Sequence, residues 1–120
     1  MKILIVDDST AMRMIVRKTM RLAGFDGHEY TESEDGAAAF AAIKANAPDL
    51  VMSDWNMPNL TGIELLEKLN AEGIKVKFGF VTTEATGEMR QRATAAGASF
   101  LISKPFTPES FKETLGPFIK

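Results

Sequence analysis

Leu50-Val51-Met52-Ser53-Asp54 is the stretch of sequence that decides the fold. Its three apolar residues follow one another without polar alternation, which is typical of a parallel strand buried on both faces. Such a sheet needs helical crossovers that cover both of its faces. The run ends in a hydroxyl and a carboxylate, so the strand delivers polar groups at its C-terminal end. The stretch therefore predicts an α/β protein with a carboxylate at one edge of its sheet.

Short apolar runs alternate with helical patterns on both sides of this strand. Four further strands are predicted over residues 3–6, 28–31, 76–81 and 100–102. Helices are predicted over residues 9–23, 35–46 and 88–96, around Ile63, Leu66 and Leu69, and from Thr107 onward. Gly116-Pro117 should end the last helix early, because proline inside a helix removes a hydrogen bond and clashes. Five βα units predict a parallel sheet with helices on both faces, in a single domain over residues 1–120.

Composition argues against several classes of protein. The chain has 120 residues, a formal net charge of -2 and no cysteine. We therefore expect no nucleic-acid partner, no disulfide framework, no cysteine-ligated zinc and no thiol catalysis. No segment approaches the ~18 apolar residues of a membrane span or the roughly 7–15 of a secretory signal. We expect a cytoplasmic protein without a membrane partner.

Polar side chains directly follow four of the five predicted strands. The four pairs are Asp7-Asp8, Ser53-Asp54, Thr82-Thr83 and Ser103-Lys104. Each pair alone would be an ordinary turn, but in this fold class sites form beyond the C-terminal strand ends. If the first and third strands are neighbours, Asp7, Asp8 and Asp54 converge. Three carboxylates in one pocket repel one another, and an all-oxygen donor set favours Mg²⁺ as the ion that relieves this repulsion.

At these residues the chain resembles the receiver domain of two-component response regulators, most closely the single-domain chemotaxis members. The matching segments are ILIVDDSTAMRMIVR, SDWNMPNLTGIELL, VTTEA and KPFT, in the family's order and spacing. The resemblance covers essentially the whole chain. It implies a flavodoxin-like, doubly wound (βα)5 fold with a five-stranded parallel sheet in the order 2-1-3-4-5.

The resemblance also implies a role for each matching residue. Asp54 is the expected phospho-acceptor, and Asp8 and Asp54 are the expected carboxylate ligands of Mg²⁺. The other implied roles are a backbone-carbonyl ligand at Asn56, a water-mediated ligand at Asp7, a phosphoryl-binding lysine at Lys104 and a switch hydroxyl at Thr82. A carboxylate can accept a phosphoryl group, and phosphoryl transfer depends mostly on positioning and charge neutralisation.

Two features concern the end of the predicted sheet. Family members usually carry an aromatic residue on the fifth strand where this chain has Leu101. The adjacent Phe100 should face the opposite side, because neighbouring strand residues alternate. The output surface is therefore expected to differ from that of the family. The resemblance further implies a cis peptide bond between Lys104 and Pro105.

These expectations describe a signalling switch rather than an enzyme. A histidine kinase of the CheA-like kind would phosphorylate Asp54, and the monomeric phosphoprotein would bind a downstream protein, which the resemblance suggests is the flagellar motor switch. Two alternatives stay open. A phosphorelay shuttle or phosphate sink would use the same chemistry. A small Mg²⁺-dependent aspartyl-phosphate phosphatase would need a substrate pocket and a general acid that the sequence does not reveal.

Several other residues carry narrower expectations. The first helix should bury Met12, Ile15, Val16, Met20 and Ala23 on one face. Its outer face carries Arg13, Arg17, Lys18 and Arg21 without a compensating acid, and is either solvated or docks an acidic partner such as the kinase. Gly79 should weaken the fourth strand. His28 is expected on a strand surface without a metal or catalytic role, and Trp55 is expected to be partly buried beside the site.

Overall fold

The computed structural model describes residues 1–83 and 86–119. Five strands alternate with five helices over these residues. In chain order the elements are β1 (Lys2–Val6), α1 (Thr10–Leu22), β2 (Glu29–Ser33), α2 (Gly36–Ala45), β3 (Leu50–Ser53), α3 (Gly62–Ala71), β4 (Lys77–Thr82), α4 (Gly87–Ala95), β5 (Phe100–Ser103) and α5 (Pro108–Leu115). No helix in the described part of the chain is long and apolar enough to cross a membrane.

The strands form one parallel sheet in the order β2-β1-β3-β4-β5. This order confirms the predicted doubly wound fold. The chain reverses its direction of winding between β1 and β3, where Val6 lies opposite Ser53 in the register. The residues that follow these two strands therefore leave the sheet side by side, which is the arrangement that brings Asp7 and Asp54 together.

Alternate residues of the buried strands supply a separate core on each face of the sheet. One face packs against α1 and α5 through Ile3, Ile5, Leu50, Met52, Val81, Phe100 and Ile102. The other face packs against α2, α3 and α4 through Leu4, Val6, Val51, Phe78 and Phe80. Because both faces are covered, the polar strand ends are left as the place where a site can form.

A polar side chain caps the N-terminus of each described helix. The capping residues are Ser9, Asp35, Thr61, Thr86 and Thr107, and each accepts a hydrogen bond from a backbone N–H in the first turn. A cap of this kind stabilises a helix by about 1 kcal/mol. α5 ends at Leu115 with Gly116 as its C-cap, which confirms the early end predicted from Gly116-Pro117.

The predicted inner face of α1 is partly wrong. Val16, Met20 and Ala23 are buried against the sheet, whereas Ile15 is 47% exposed. Successive helix residues are rotated by about 100°. Ile15 therefore lies a full residue step away from Val16, outside the narrow stripe that contacts the sheet.

Gly79 does not interrupt β4, which continues through it to Thr82. Its partner in the register is Phe100 of β5. A Cβ atom at residue 79 would lie 2.3 Å from two ring carbons of Phe100, so the ring occupies the space that a side chain would fill. The glycine thus serves packing between neighbouring strands, which the expectation of a weakened strand did not foresee.

Candidate functional site

Asp7, Asp8 and Asp54 converge at the C-terminal edge of the sheet. Each offers one carboxylate oxygen, and these three oxygens lie within 4.8 Å of one another. The backbone N–H of Asp54 donates to the carbonyl oxygen of Val6 at 2.9 Å, which fastens the end of β3 to the end of β1. The convergence expected if β1 and β3 are neighbours is therefore present in the structure.

The three carboxylates have different surroundings. Asp7 is only 4% exposed, and its Oδ1 accepts a hydrogen bond from the backbone N–H of Ser9 at 2.9 Å. Asp54 Oδ1 accepts from the backbone N–H of Trp55 at 2.7 Å, and its side chain is 14% exposed. Asp8 is exposed, and its carboxylate forms no hydrogen bond or ion pair with the residues that the structure describes. Asp8 is therefore the carboxylate most available to an incoming ligand.

Lys104 supplies the positive charge of the cluster. Its Nζ lies 3.2 Å from Oδ2 of Asp7 and 3.5 Å from Oδ2 of Asp54. Its backbone N–H donates to the carbonyl oxygen of Thr82 at 2.8 Å, and the peptide bond to Pro105 is cis, as expected. The hydrogen bond to Thr82 holds the lysine backbone at the end of β5, from which its ammonium reaches the carboxylates.

The cluster carries more negative than positive charge. Burial raises the pKa of the Asp54 carboxyl; Lys104 opposes this rise and the charge of Asp7 adds to it. One ammonium faces three carboxylates, so the negative charge is only partly neutralised. A cluster of carboxylate oxygens with excess negative charge fits a hard divalent cation such as Mg²⁺. The donor set therefore fits the ion that the sequence predicts.

The remaining predicted site residues lie around this cluster. Thr82 ends β4, beside β3 in the sheet, and is fully buried. Asn56 is exposed in the loop two residues beyond Asp54. Both positions are compatible with the roles implied by the resemblance, which remain predictions.

Gly62 is a site residue that sequence reasoning missed. A Cβ atom at this position would lie 2.1 Å from the carbonyl oxygen of Asp54 and 3.0 Å from the ring of Phe80. The N–H of Gly62 also donates to the carbonyl oxygen of Trp55 at 2.8 Å. The start of α3 therefore packs directly on the backbone of Asp54. The only available signal was the glycine that follows the loop in SDWNMPNLTG.

Glu32 of β2 is a second group that the sequence did not reveal. It forms ion pairs with Arg13 Nε and Arg17 Nη1, each at 2.8 Å. Burial tends to raise the pKa of Glu32, but hydrogen bonds from Arg17 and Arg13 outweigh it and lower this pKa. The expectation that the basic face of α1 lacks a compensating acid is therefore wrong for these two arginines. Helix spacing cannot reveal a partner contributed by another strand.

Trp55 is more deeply placed than expected. Its side chain is buried, and its ring lies 4.8 Å from that of Phe80, measured between centroids. The expectation of partial burial is therefore wrong, because the indole fills the core on the α3 side of the sheet. Since it directly follows Asp54 and is the only tryptophan, its fluorescence should report on the site.

Two further expectations concern residues outside the cluster. Leu101 is partly buried on the face that packs against α3 and α4, whereas Phe100 packs on the opposite face, as predicted. His28 lies just before β2, which begins at Glu29 rather than at residue 28. Its Nδ1 lies 3.1 Å from the N-terminal amine. The structure gives His28 no contact with the acidic cluster.

Comparisons with known proteins agree with this geometry. The family model of the response regulator receiver domain matches residues 3–116. The chain is 42% identical over 117 residues to chemotaxis protein CheY-3 of Vibrio cholerae serotype O1, covering 96% of this chain and 88% of that protein. It is 37% identical over 118 residues to chemotaxis protein CheY1 of Helicobacter pylori, covering 96% and 94%.

A solved structure shows the same fold. Vibrio cholerae chemotaxis protein CheY4 matches with a TM-score of 0.85 at 33% identity, and the match covers 98% of each chain. Fold, sequence and the position of the acidic cluster lead to the same family. The chain belongs to the response regulator receiver domain family and is a two-component response regulator of the CheY type.

Proposed function

We propose that this chain accepts a phosphoryl group from a histidine kinase on Asp54, in a reaction that requires Mg²⁺. The observation that carries the proposal is the convergence of three carboxylate oxygens within 4.8 Å, with Lys104 Nζ 3.5 Å from Asp54. A partly buried carboxylate beside one ammonium and two further acids is poor at stabilising the fold. It is well suited to receiving a phosphoryl group together with a cation.

The residues proposed to hold the cation are Asp8, Asp54 and the backbone carbonyl of Asn56, with Asp7 acting through a water molecule. When bound, Mg²⁺ would neutralise the carboxylates and the negative charge on the phosphoryl oxygens. Asp8 suits this role because it is exposed and its carboxylate has no partner among the described residues. Asp7 suits an indirect role because Ser9 and Lys104 already occupy its two oxygens.

Asp54 acts as the nucleophile in this proposal. Its Oδ1 is held by the N–H of Trp55, which leaves Oδ2, 3.5 Å from Lys104 Nζ, as the oxygen proposed to attack. This oxygen attacks the phosphorus atom, the bond from phosphorus to the kinase histidine nitrogen breaks, and the electron pair leaves with the imidazole. The ammonium of Lys104 then turns from the carboxylates to the phosphoryl oxygens. The hydroxyl of Thr82 donates to a phosphoryl oxygen and so registers the modification.

The proposed output is phosphorylation-dependent binding to another protein. The matched relatives are named chemotaxis proteins, which supports chemotaxis as the process, a CheA-like kinase as donor and the flagellar motor switch as target. The kinase contact is proposed to include the outer face of α1. Lys18 and Arg21 are exposed there without an ion pair in the described part of the chain, beside the exposed apolar side chains of Met14 and Ile15. The protein is proposed to act as a cytoplasmic monomer and not as an enzyme.

The test is incubation with a small phosphodonor such as acetyl phosphate, followed by intact-mass measurement. We expect one phosphoryl group per chain, dependent on Mg²⁺, mapped to Asp54 and absent from Asp54→Asn. Phosphate incorporated at another residue would overturn the assignment. Continuous release of phosphate at many turnovers per chain would favour the phosphatase. Transfer onward to a histidine phosphotransfer domain, without phosphorylation-dependent target binding, would favour a phosphorelay shuttle or sink.

A further inference from the structure

Arg13 joins three elements beside the acidic cluster. Its Nη1 donates to the backbone carbonyl oxygen of Asp7 at 2.6 Å, and its Nε donates to Glu32 Oε1 at 2.8 Å. Its Nη2 donates to the hydroxyl of Thr10 at 3.1 Å. The side chain is only 12% exposed. All three guanidinium nitrogens are therefore engaged, and the fork cannot turn without breaking several contacts.

The contact with Asp7 fixes the peptide group between Asp7 and Asp8. The other polar atoms of Asp7 are already held, since its N–H donates to Ser33 and its carboxylate contacts Ser9 and Lys104. Arg13 holds the remaining one, the carbonyl oxygen. A peptide group is planar, so holding this oxygen also fixes the direction in which the chain enters Asp8.

Asp8 directly follows the peptide group that Arg13 holds. Its carboxylate has no hydrogen bond or ion pair with the described residues, so no side chain aims it at the cluster. Its oxygen nevertheless lies within 4.8 Å of the oxygens of Asp7 and Asp54. The main chain places the Cα atom from which this carboxylate extends, and its carbonyl at Asp7 is held by Arg13.

Glu32 in turn holds Arg13. It pairs with Arg13 and Arg17 through its two oxygens, and its lowered pKa keeps it ionised. This pairing offsets part of the guanidinium charge close to the cluster. The arginine can thus hold the backbone while adding little repulsion towards a bound cation.

We propose that Arg13 is a positioning residue of the acidic site: it holds the Asp7-Asp8 peptide so that the Asp8 carboxylate faces Asp54, and Glu32 holds Arg13. The inference rests on the proposed Mg²⁺ site. Partners of this kind, which orient ligands without touching the ion, typically change metal affinity by about 10–100-fold when removed.

The sign of the effect separates positioning from charge. Removing a positive side chain near three carboxylates relieves repulsion towards a cation, so a pure charge effect makes Mg²⁺ bind more tightly. Loss of positioning makes Mg²⁺ bind more weakly. Arg17 supplies the matched control, because it carries the same charge on the same helix and contacts the same Glu32, but it does not contact Asp7.

The experiment is a Mg²⁺ titration followed by Trp55 fluorescence in the full chain, with the melting temperature measured in EDTA. We expect Arg13→Met to raise the Mg²⁺ dissociation constant by roughly tenfold or more. Arg17→Met should leave it within about twofold or lower it. Arg13→Lys should recover part of the loss, because one ammonium can still donate to the carbonyl of Asp7.

The outcomes decide the inference in each case. Unchanged or tighter Mg²⁺ binding in Arg13→Met would overturn it, and so would equal weakening in Arg17→Met. If Arg13→Met does not fold, Arg13→Lys keeps the positive charge but loses the fixed guanidinium fork, and it should raise the dissociation constant severalfold; an unchanged constant there overturns the inference. Failure of the unaltered protein to bind Mg²⁺ would refute the proposed function as well.

Discussion

Gly62 packs against Asp54 so closely that a Cβ atom at residue 62 would lie 2.1 Å from the carbonyl oxygen of Asp54. The constraint is one of space, because this glycine does not need a left-handed backbone conformation. Any side chain here must push the start of α3 away from the acidic cluster. The spacing between the proposed acceptor and α3 is therefore set by the absence of a side chain.

Gly62→Ala should destabilise the protein by roughly 1–3 kcal/mol, as overpacking of a rigid contact does. It should also slow phosphorylation of Asp54. Gly87→Ala is the control, because a Cβ atom there meets nothing within 4 Å and the residue begins α4. Urea denaturation and phosphorylation rates with a small phosphodonor measure both effects. Equal stability of the two variants would show that the backbone gives way at no cost.

Asp54→Asn should raise the melting temperature of the metal-free protein by roughly 2–5 °C at neutral pH. Burial and the charge of Asp7 raise the pKa of Asp54 despite Lys104, so the ionised form is disfavoured in the folded state. The folded protein then binds more protons than the unfolded chain between the ordinary and the raised pKa, and stability falls as pH rises through that window.

The difference between Asp54→Asn and the unaltered protein should therefore shrink as pH falls below the ordinary pKa of an aspartate. Thermal melts in EDTA at several pH values measure this difference. A gap that widens on acidification would contradict the sign of the pKa shift. Addition of Mg²⁺ should stabilise the unaltered protein more than the variant.

Asp8→Ala should abolish most Mg²⁺ binding while leaving the fold intact. Its carboxylate is exposed and has no partner among residues 1–83 and 86–119, so little folding energy is lost. We expect the dissociation constant for Mg²⁺ to rise by at least ~10-fold, since the remaining protein ligands are few. Trp55 fluorescence during a Mg²⁺ titration gives the measurement. Undiminished affinity would show that Asp8 is not a ligand.

Lys104→Met should destabilise the metal-free protein by roughly 1–3 kcal/mol, because it leaves Asp7 and Asp54 without their cation. The same change should tighten Mg²⁺ binding, since a competing positive charge is lost. Phosphorylation should become slower even when Mg²⁺ is saturating. Thermal melts with and without Mg²⁺ test the first two effects, and a variant as stable as the unaltered protein in EDTA would refute the first.

Phosphorylation should loosen or shift α4 through Thr82. Among its described residues only Ala93 is buried, and its outward contacts include the Arg92–Glu67 ion pair and the hydrogen bond from Asn70 to Ala96. Little apolar burial therefore resists movement of this helix. Leu101 is smaller than the aromatic residue usual in the family. It would therefore fill less of the space that an inward movement of Thr82 leaves.

Amide exchange over residues 83–96 should change when fluoroberyllate, a mimic of the aspartyl phosphate, binds with Mg²⁺. Two residues of the loop expected to respond, Glu84 and Ala85, lie outside the described residues. Thr82→Ala should remove the response while Asp54 stays phosphorylatable, and Thr83→Ala is the neighbouring control. Identical exchange with and without the mimic would place the output surface elsewhere.

The sequence predicted the parts of the molecule that depend on local pattern. The resemblance implied the strand order, the meeting of Asp7, Asp8 and Asp54 followed from that order, and the early end of α5 followed from Gly116-Pro117. Contacts between elements were not predictable. Glu32 reaches Arg13 from β2, across 19 positions of sequence, and no helix periodicity encodes such a partner.

The exposure of Ile15 is a second case in which packing between elements could not be predicted from the local pattern. An apolar residue adjacent to a buried stripe looks like part of it, and only the angle between α1 and the sheet decides which residues are covered. The close packing at Gly62 and Gly79 could likewise not be predicted from the sequence. The sequence names a glycine, but the neighbour that fills its missing volume is known only from the structure.

The contact between Gly79 and Phe100 couples two positions on adjacent strands, so the residues tolerated at one depend on the residue at the other. The ring of Phe100 lies where a side chain at residue 79 would begin, so the pair shares a single fixed volume. A larger residue at position 79 requires the ring of Phe100 to move or to be replaced, and replacing the ring alone leaves a void. Homologous sequences should therefore change the two positions together or keep both. In a mutational library, most variants changed at only one of the two positions should be less stable than variants changed at both.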